Sequence, residues 1–122
     1  TDLEGTGDSV VTKADADPMI QPESLTWFSE LYRAGADVRD PLVSPLYADL
    51  SNLPPMLIQV GTEEILMDDS TRLAEAARKV GVDVTLELWD DMPHIWHIFA
   101  PMLDEGQQAI DKLGAWARER TA

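Results

Sequence analysis

Cysteine is absent from all 122 residues. No disulfide framework, thiol nucleophile or thiolate metal site can therefore be built from this chain. No stretch approaches the roughly 20 continuous apolar residues of a membrane-spanning helix. A basic segment followed by an apolar one, the mark of a secretory leader, is missing too. So is an initial methionine: the chain opens Thr1-Asp2-Leu3-Glu4, which reads as the interior of a longer protein. Basic residues are scarce. Nine Lys and Arg stand against 23 Asp and Glu, for a formal net charge of −14. Such a field repels phosphate backbones and anionic bilayers, so neither nucleic acid nor a membrane surface is expected as a partner.

What is present is ordinary globular patterning. Gly5, Gly7, Pro18 and Pro22 punctuate residues 1–22, which read as loop. Residues 23–33 read as a helix with Leu25, Phe28 and Tyr32 on one face and Gly35 at its end. Pro41, Pro45, Pro54 and Pro55 exclude regular structure between that helix and residue 56. Residues 56–60, Met-Leu-Ile-Gln-Val, form a nearly continuous apolar run before Gly61, the pattern of a strand buried on both faces. A helix is expected over 68–80, with Asp68, Asp69 and Ser70 as capping oxygens and Leu73, Ala76, Ala77 and Val80 facing inward. Residues 82–88 alternate Val82, Val84, Leu86 and Leu88 with Asp83, Thr85 and Glu87, as a half-exposed strand near a sheet edge would. A last helix spans 105–118, with Ile110, Leu113, Trp116 and Ala117 inward. The expected fold class is α/β, with two parallel strands joined by a helical crossover. The first strand requires a neighbour on its other edge, which again points to an upstream portion of the same protein.

Ligands of open α/β sheets gather at the carboxyl ends of the strands. Two loops leave such ends here: Gly61-Thr62-Glu63-Glu64-Ile65-Leu66 and Asp90-Asp91-Met92-Pro93-His94. A carboxylate accepting Nδ1–H of an imidazole fixes its tautomer and leaves Nε2 free as a base. The two loops thus suggest an acid–base pair. Several rival readings carry less. His94 and His97 with Asp90 and Asp91 lack the further ligand a zinc site would need, so no metal is expected. Gly7-Asp8-Ser9 begins like the Gly-x-Ser-x-Gly turn that exposes a nucleophile, but Val10-Val11 follow and no strand precedes. Ser44, Ser51 and Ser70 occupy loop or helix-cap positions. His97 reads as packing or pocket-lining.

Residues 40–99, from Asp-Pro-Leu-Val-Ser-Pro through Met-Leu-Ile-Gln-Val-Gly-Thr-Glu-Glu to Met-Pro-His-Ile-Trp-His-Ile-Phe, resemble the C-terminal third of bacterial hormone-sensitive-lipase-family esterases. Thr1-Asp2-Leu3-Glu4-Gly5-Thr6-Gly7-Asp8-Ser9 resembles the segment that follows a core strand in that family. The resemblance implies the C-terminal part of an α/β-hydrolase fold, with residues 1–38 contributing to a cap over the substrate and 39–122 to the catalytic domain. It implies a Ser–acid–His triad in which acid and histidine lie about thirty residues apart. Glu64 then takes the acid position and His94 the histidine position, with Glu63, Asp68 and Asp69 as alternative acids. It implies short-chain carboxylic esters as substrates, no cofactor, and a bacterial, cytoplasmic setting. Pairing of two copies through residues 82–88 is implied as well. Met19, Ile20, Trp27 and Phe28 become candidate pocket residues, as do Ile65, Ile95 and Trp96 beside the pair. The serine and the glycine-rich oxyanion loop lie outside these residues. The competing readings are an inert fragment or binding module, and an amidase or thioesterase built on the same triad.

Overall fold

The computed structural model of the chain describes residues 2–121. Its elements run α1 (Ser9–Thr12), α2 (Pro22–Arg33), a 3₁₀ turn at Pro45–Tyr47, β1 (Met56–Gly61), α3 (Met67–Lys79), β2 (Val84–Trp89), a 3₁₀ turn at Trp96–Phe99 and α4 (Asp104–Thr121). β1 and β2 pair in parallel, in register from Met56 opposite Val84 to Gly61 opposite Trp89. α3 is the crossover between them.

Alternation along the strands divides the sheet's neighbours. Met56, Ile58, Val84 and Leu86 pack with Ala74 and Ala77 of α3 and with Leu50 and Val82. The two alanines carry little bulk, so α3 lies close against the sheet. Gln59 and Glu87 instead bond to α4, through the Ala109 carbonyl and the Lys112 ammonium. The sheet is thus sandwiched between α3 and α4.

Several expected details differ. Residues 1–22 are not simply loop: α1 lies within them, and the segment is fastened to the start of α3. Asp69 and Asp68, expected to cap α3, instead accept N–H bonds from Asp2 and Ser9 at 2.8 Å each. The α3 N-cap is Leu66, with no side-chain cap. Arg72 pairs with the buried Asp2 at 2.9 Å. β1 is half-buried from Met56 to Gln59 rather than enclosed on both faces. Val80 lies exposed at the end of α3. α4 turns Gly106 and Ala109 inward, leaving Ile110 and Leu113 exposed. In α2 the buried residue is Ser29, whose hydroxyl donates to the Leu3 carbonyl. Phe28 and Tyr32 project outward.

Gly61 and Gly106 are required by close approach. A Cβ at Gly61 would stand 2.0 Å from the Met92 carbonyl oxygen, so the loop after β2 crosses directly over the end of β1. A Cβ at Gly106 would meet the Ala100 backbone at 2.9 Å, which seats α4 on the turn that follows the second loop.

Candidate functional site

The site begins where the ladder ends. Beyond Gly61 the pairing continues loosely: Thr62 N–H donates to the Trp89 carbonyl at 3.0 Å and Glu63 N–H to the Met92 carbonyl at 3.1 Å. Asp91 N–H donates to Thr62 Oγ1 at 3.0 Å. These bonds stitch the two post-strand loops together and bring their side chains side by side.

Glu64 is buried, and its Oε2 accepts the Gly61 N–H at 3.3 Å. Its Oε1 lies 3.2 Å from His94 Nδ1. A carboxylate accepts only, so the Nδ1 nitrogen carries the proton and Nε2 is left as the basic nitrogen. The bond to Glu64 raises the His94 pKa above its ordinary 6.5; burial opposes this, while the charges of Glu64 and Asp17 add to it. The imidazole is partly exposed, the carboxylate nearly enclosed.

The other acids weighed are engaged elsewhere. Glu63 pairs with Lys13 at 3.0 Å. Asp68 and Asp69 hold the N-terminal segment, as described above. Ser9 is buried, its hydroxyl donating to the Ile65 carbonyl at 2.7 Å and accepting Asp68 N–H at 3.0 Å, which is a structural role. Ser44 is buried too, and accepts Leu3 N–H. Ser70 lies within the first turns of α3 and is not its cap.

Glu64, His94, Ile95, Trp96 and His97 line one cleft of about 230 Å³, together with Leu66 and Ser70. Ile95 and Trp96 therefore stand beside the pair. Ile65 does not: it has no accessible surface and belongs to the core, a correction to its expected place in the pocket. Phe28 lines a different, apolar cleft of about 470 Å³ with Leu3, Tyr32, Val43 and Pro45. Trp27 meets Phe28 edge to face at 4.9 Å and is largely exposed, as is Met19. Ile20 is half-buried. The four cap candidates are thus not gathered at the Glu64–His94 cleft in this chain. Among the described residues, no group of three or more His, Asp or Glu is placed to hold a metal ion.

Two residues of the site escaped sequence reasoning. Asp17 is buried and accepts three backbone N–H groups: Ile65 at 2.9 Å through Oδ2, and Met19 and Ile20 at 2.8 and 2.9 Å through Oδ1. It clamps the N-terminal segment onto the residue after Glu64. Its only sequence signal is the Asp17-Pro18 pair, a common turn opening. Gln59, a polar residue in an otherwise apolar strand, is the other.

A parallel sheet with a helical crossover and a carboxylate beside an imidazole on neighbouring carboxyl-end loops places the chain in the α/β class. The chain belongs to the alpha/beta hydrolase fold family, whose model matches residues 1–98, and it corresponds to the C-terminal part of hormone-sensitive-lipase-family esterases. It is 45% identical over 120 residues to an acetyl-hydrolase of Streptomyces hygroscopicus, covering 98% of this chain and 40% of that protein. It superposes on the esterase EstE5, in a crystal soaked with p-nitrophenyl butyrate, with a TM-score of 0.93 at 49% identity, over 97% of this chain and 40% of that one. An esterase from the bacterial hormone-sensitive lipase family gives a TM-score of 0.97 at 48% identity, over 99% and 41%. The chain thus spans about two fifths of the length of the proteins it matches. No described helix is long and apolar enough to cross a membrane.

Proposed function

We propose that this chain supplies the general base and its orienting carboxylate to a serine hydrolase of short-chain carboxylic esters. The observation that carries the reading is the contact between the buried Glu64 carboxylate and His94 Nδ1 at 3.2 Å. His94 Nε2 takes the proton of a serine as its oxygen attacks the ester carbonyl, then returns that proton to the departing alcohol. Glu64 holds the ring in the required tautomer and stabilises the imidazolium formed in between. Backbone N–H groups stabilise the tetrahedral oxyanion. The serine and those donors lie on the part of the protein that these 122 residues do not include, and residues 1–38 contribute to the cap over the ester. The names of the relatives, acetyl-hydrolase and esterase, and the butyrate ester soaked into EstE5 support the substrate class.

The test is direct. The 122-residue chain alone is expected not to hydrolyse p-nitrophenyl butyrate. The protein that joins it to its nucleophile is expected to do so, and to lose the activity on His94→Ala. Turnover by the isolated chain that His94→Ala abolishes would overturn the division of labour proposed here.

A further inference from the structure

His97 is three residues beyond His94 and lines the same cleft. Its Nε2 lies 2.9 Å from Gln59 Oε1. The amide orientation of Gln59 follows from its other partners. The nitrogen Nε2 is 3.0 Å from Glu87 Oε2 and 3.1 Å from the Ala109 carbonyl oxygen, and both of these only accept. The NH₂ therefore faces them, the oxygen faces His97, and His97 must donate from Nε2. Glu87 is itself held by Trp89 Nε1 at 3.3 Å and Lys112 Nζ at 3.4 Å. Gln59 thus ties β1, β2 and α4 to the Trp96–Phe99 turn through one amide.

The link between that turn and His94 is a single residue under strain. Ile95 has φ 47° and ψ 36°, the left-handed region that a β-branched residue avoids. Such a conformation persists only where both sides are fixed. On one side, Met92–Pro93 pass over Gly61 with no room to spare. On the other, Trp96 is buried, with its ring 4.1 Å from that of His97 and its Nε1 donating to the Glu105 carbonyl.

We propose that His97 and Gln59 form a positioning pair for His94: the Nε2–H bond pins the Trp96–Phe99 turn to the sheet, keeps Ile95 in its strained conformation, and so holds His94 against Glu64. The inference rests on the reading of His94 as the base. Neither His97 nor Gln59 needs to touch the substrate.

The experiment uses the protein that carries these residues together with its nucleophile, with p-nitrophenyl butyrate as the probe. His97→Ala is expected to lower kcat about tenfold with KM nearly unchanged, since small displacements of a catalytic group cost rate rather than binding. His97→Gln, whose amide can donate to Gln59 Oε1, is expected to retain most of kcat. Wild-type kcat in His97→Ala, or a His97→Gln variant as impaired as His97→Ala, would overturn the proposal. If His97→Ala does not fold, ¹⁵N NMR of the imidazoles in the unaltered protein decides: a proton on Nε2 of His97 at neutral pH supports it, a proton on Nδ1 alone refutes it. His94→Ala and Glu64→Ala, measured alongside, separate the two levels. If those variants keep their activity, the base is misassigned. If they lose it while His97→Ala does not, only the positioning pair fails.

Discussion

His94 and Asp17 show how single residues set up this site. The bond from Glu64 stabilises protonated His94, so its pKa stands above 6.5. That pairing contributes stability fully below 6.5 and loses it as pH rises through the raised value. A base must be neutral to act, so ester turnover is expected to rise across the same window. Glu64→Gln removes the charge while keeping the shape, and should bring the His94 pKa down; an NMR titration showing no change would contradict the pairing. His97 moves the other way, its pKa lowered by burial. Asp17 gathers three N–H groups, one of them the buried amide of Ile65. Asp17→Ala leaves those donors unmatched and should lower stability by about 3 kcal/mol, by analogy with hydrogen bonds to charged groups. Chemical denaturation checks this, and a change within about 0.5 kcal/mol would show that water replaces the carboxylate.

At the scale of elements, the site depends on two loops crossing at the end of β1. Gly61→Ala places a methyl group on the Met92 carbonyl, a backbone atom with no rotamer to give. It is expected to cost about 2–3 kcal/mol and to separate Glu64 from His94, with activity falling more than stability suggests. A variant with wild-type melting temperature and turnover would show that the crossing has slack. Much of this arrangement was legible in the sequence. The apolar run before Gly61, the period-two alternation ending at Leu88 and the helix between them located both loops, because local periodicity encodes which face is buried. The acid is narrowed to Glu64 by its thirty-residue separation from His94 in a family resemblance, and the expected contact of that carboxylate with His94 Nδ1 is present at 3.2 Å. What escaped was long-range pairing. Asp68 and Asp69 look like helix caps from sequence because caps are local, whereas their real partners, Ser9 and Asp2, lie 59 and 67 residues away. Ile110 and Leu113 were expected inward from helical spacing alone. Gly106 and Ala109 take that face instead, because α4 must lie close to the Trp96–Phe99 turn.

For the whole molecule, exposure is informative. Trp27, Phe28, Leu31 and Tyr32 of α2 are 56–68% exposed, and an apolar cleft of about 470 Å³ opens beside Phe28. A contiguous apolar patch of this kind marks surface made to be covered. The sheet has two strands, so each presents an unpaired edge among the described residues. The isolated 122-residue chain is therefore expected to bind a hydrophobic dye and to sediment as associated species; a dye-negative monomer would contradict this. The helix stripe at Phe28 and Tyr32 was readable in the sequence, but what it faces was not, since amphipathicity records that a face is covered and not by what. At this scale we propose that Glu64 and His94 act as one unit for a serine supplied by another part of the protein. A double-mutant cycle of Glu64→Ala and His94→Ala on ester turnover tests it most directly. Glu64→Ala is expected to lower kcat by about 10⁴ and His94→Ala by about 10⁶, with the double variant little worse than His94→Ala alone. Near-normal turnover in Glu64→Ala, or losses that simply multiply in the double variant, would contradict it.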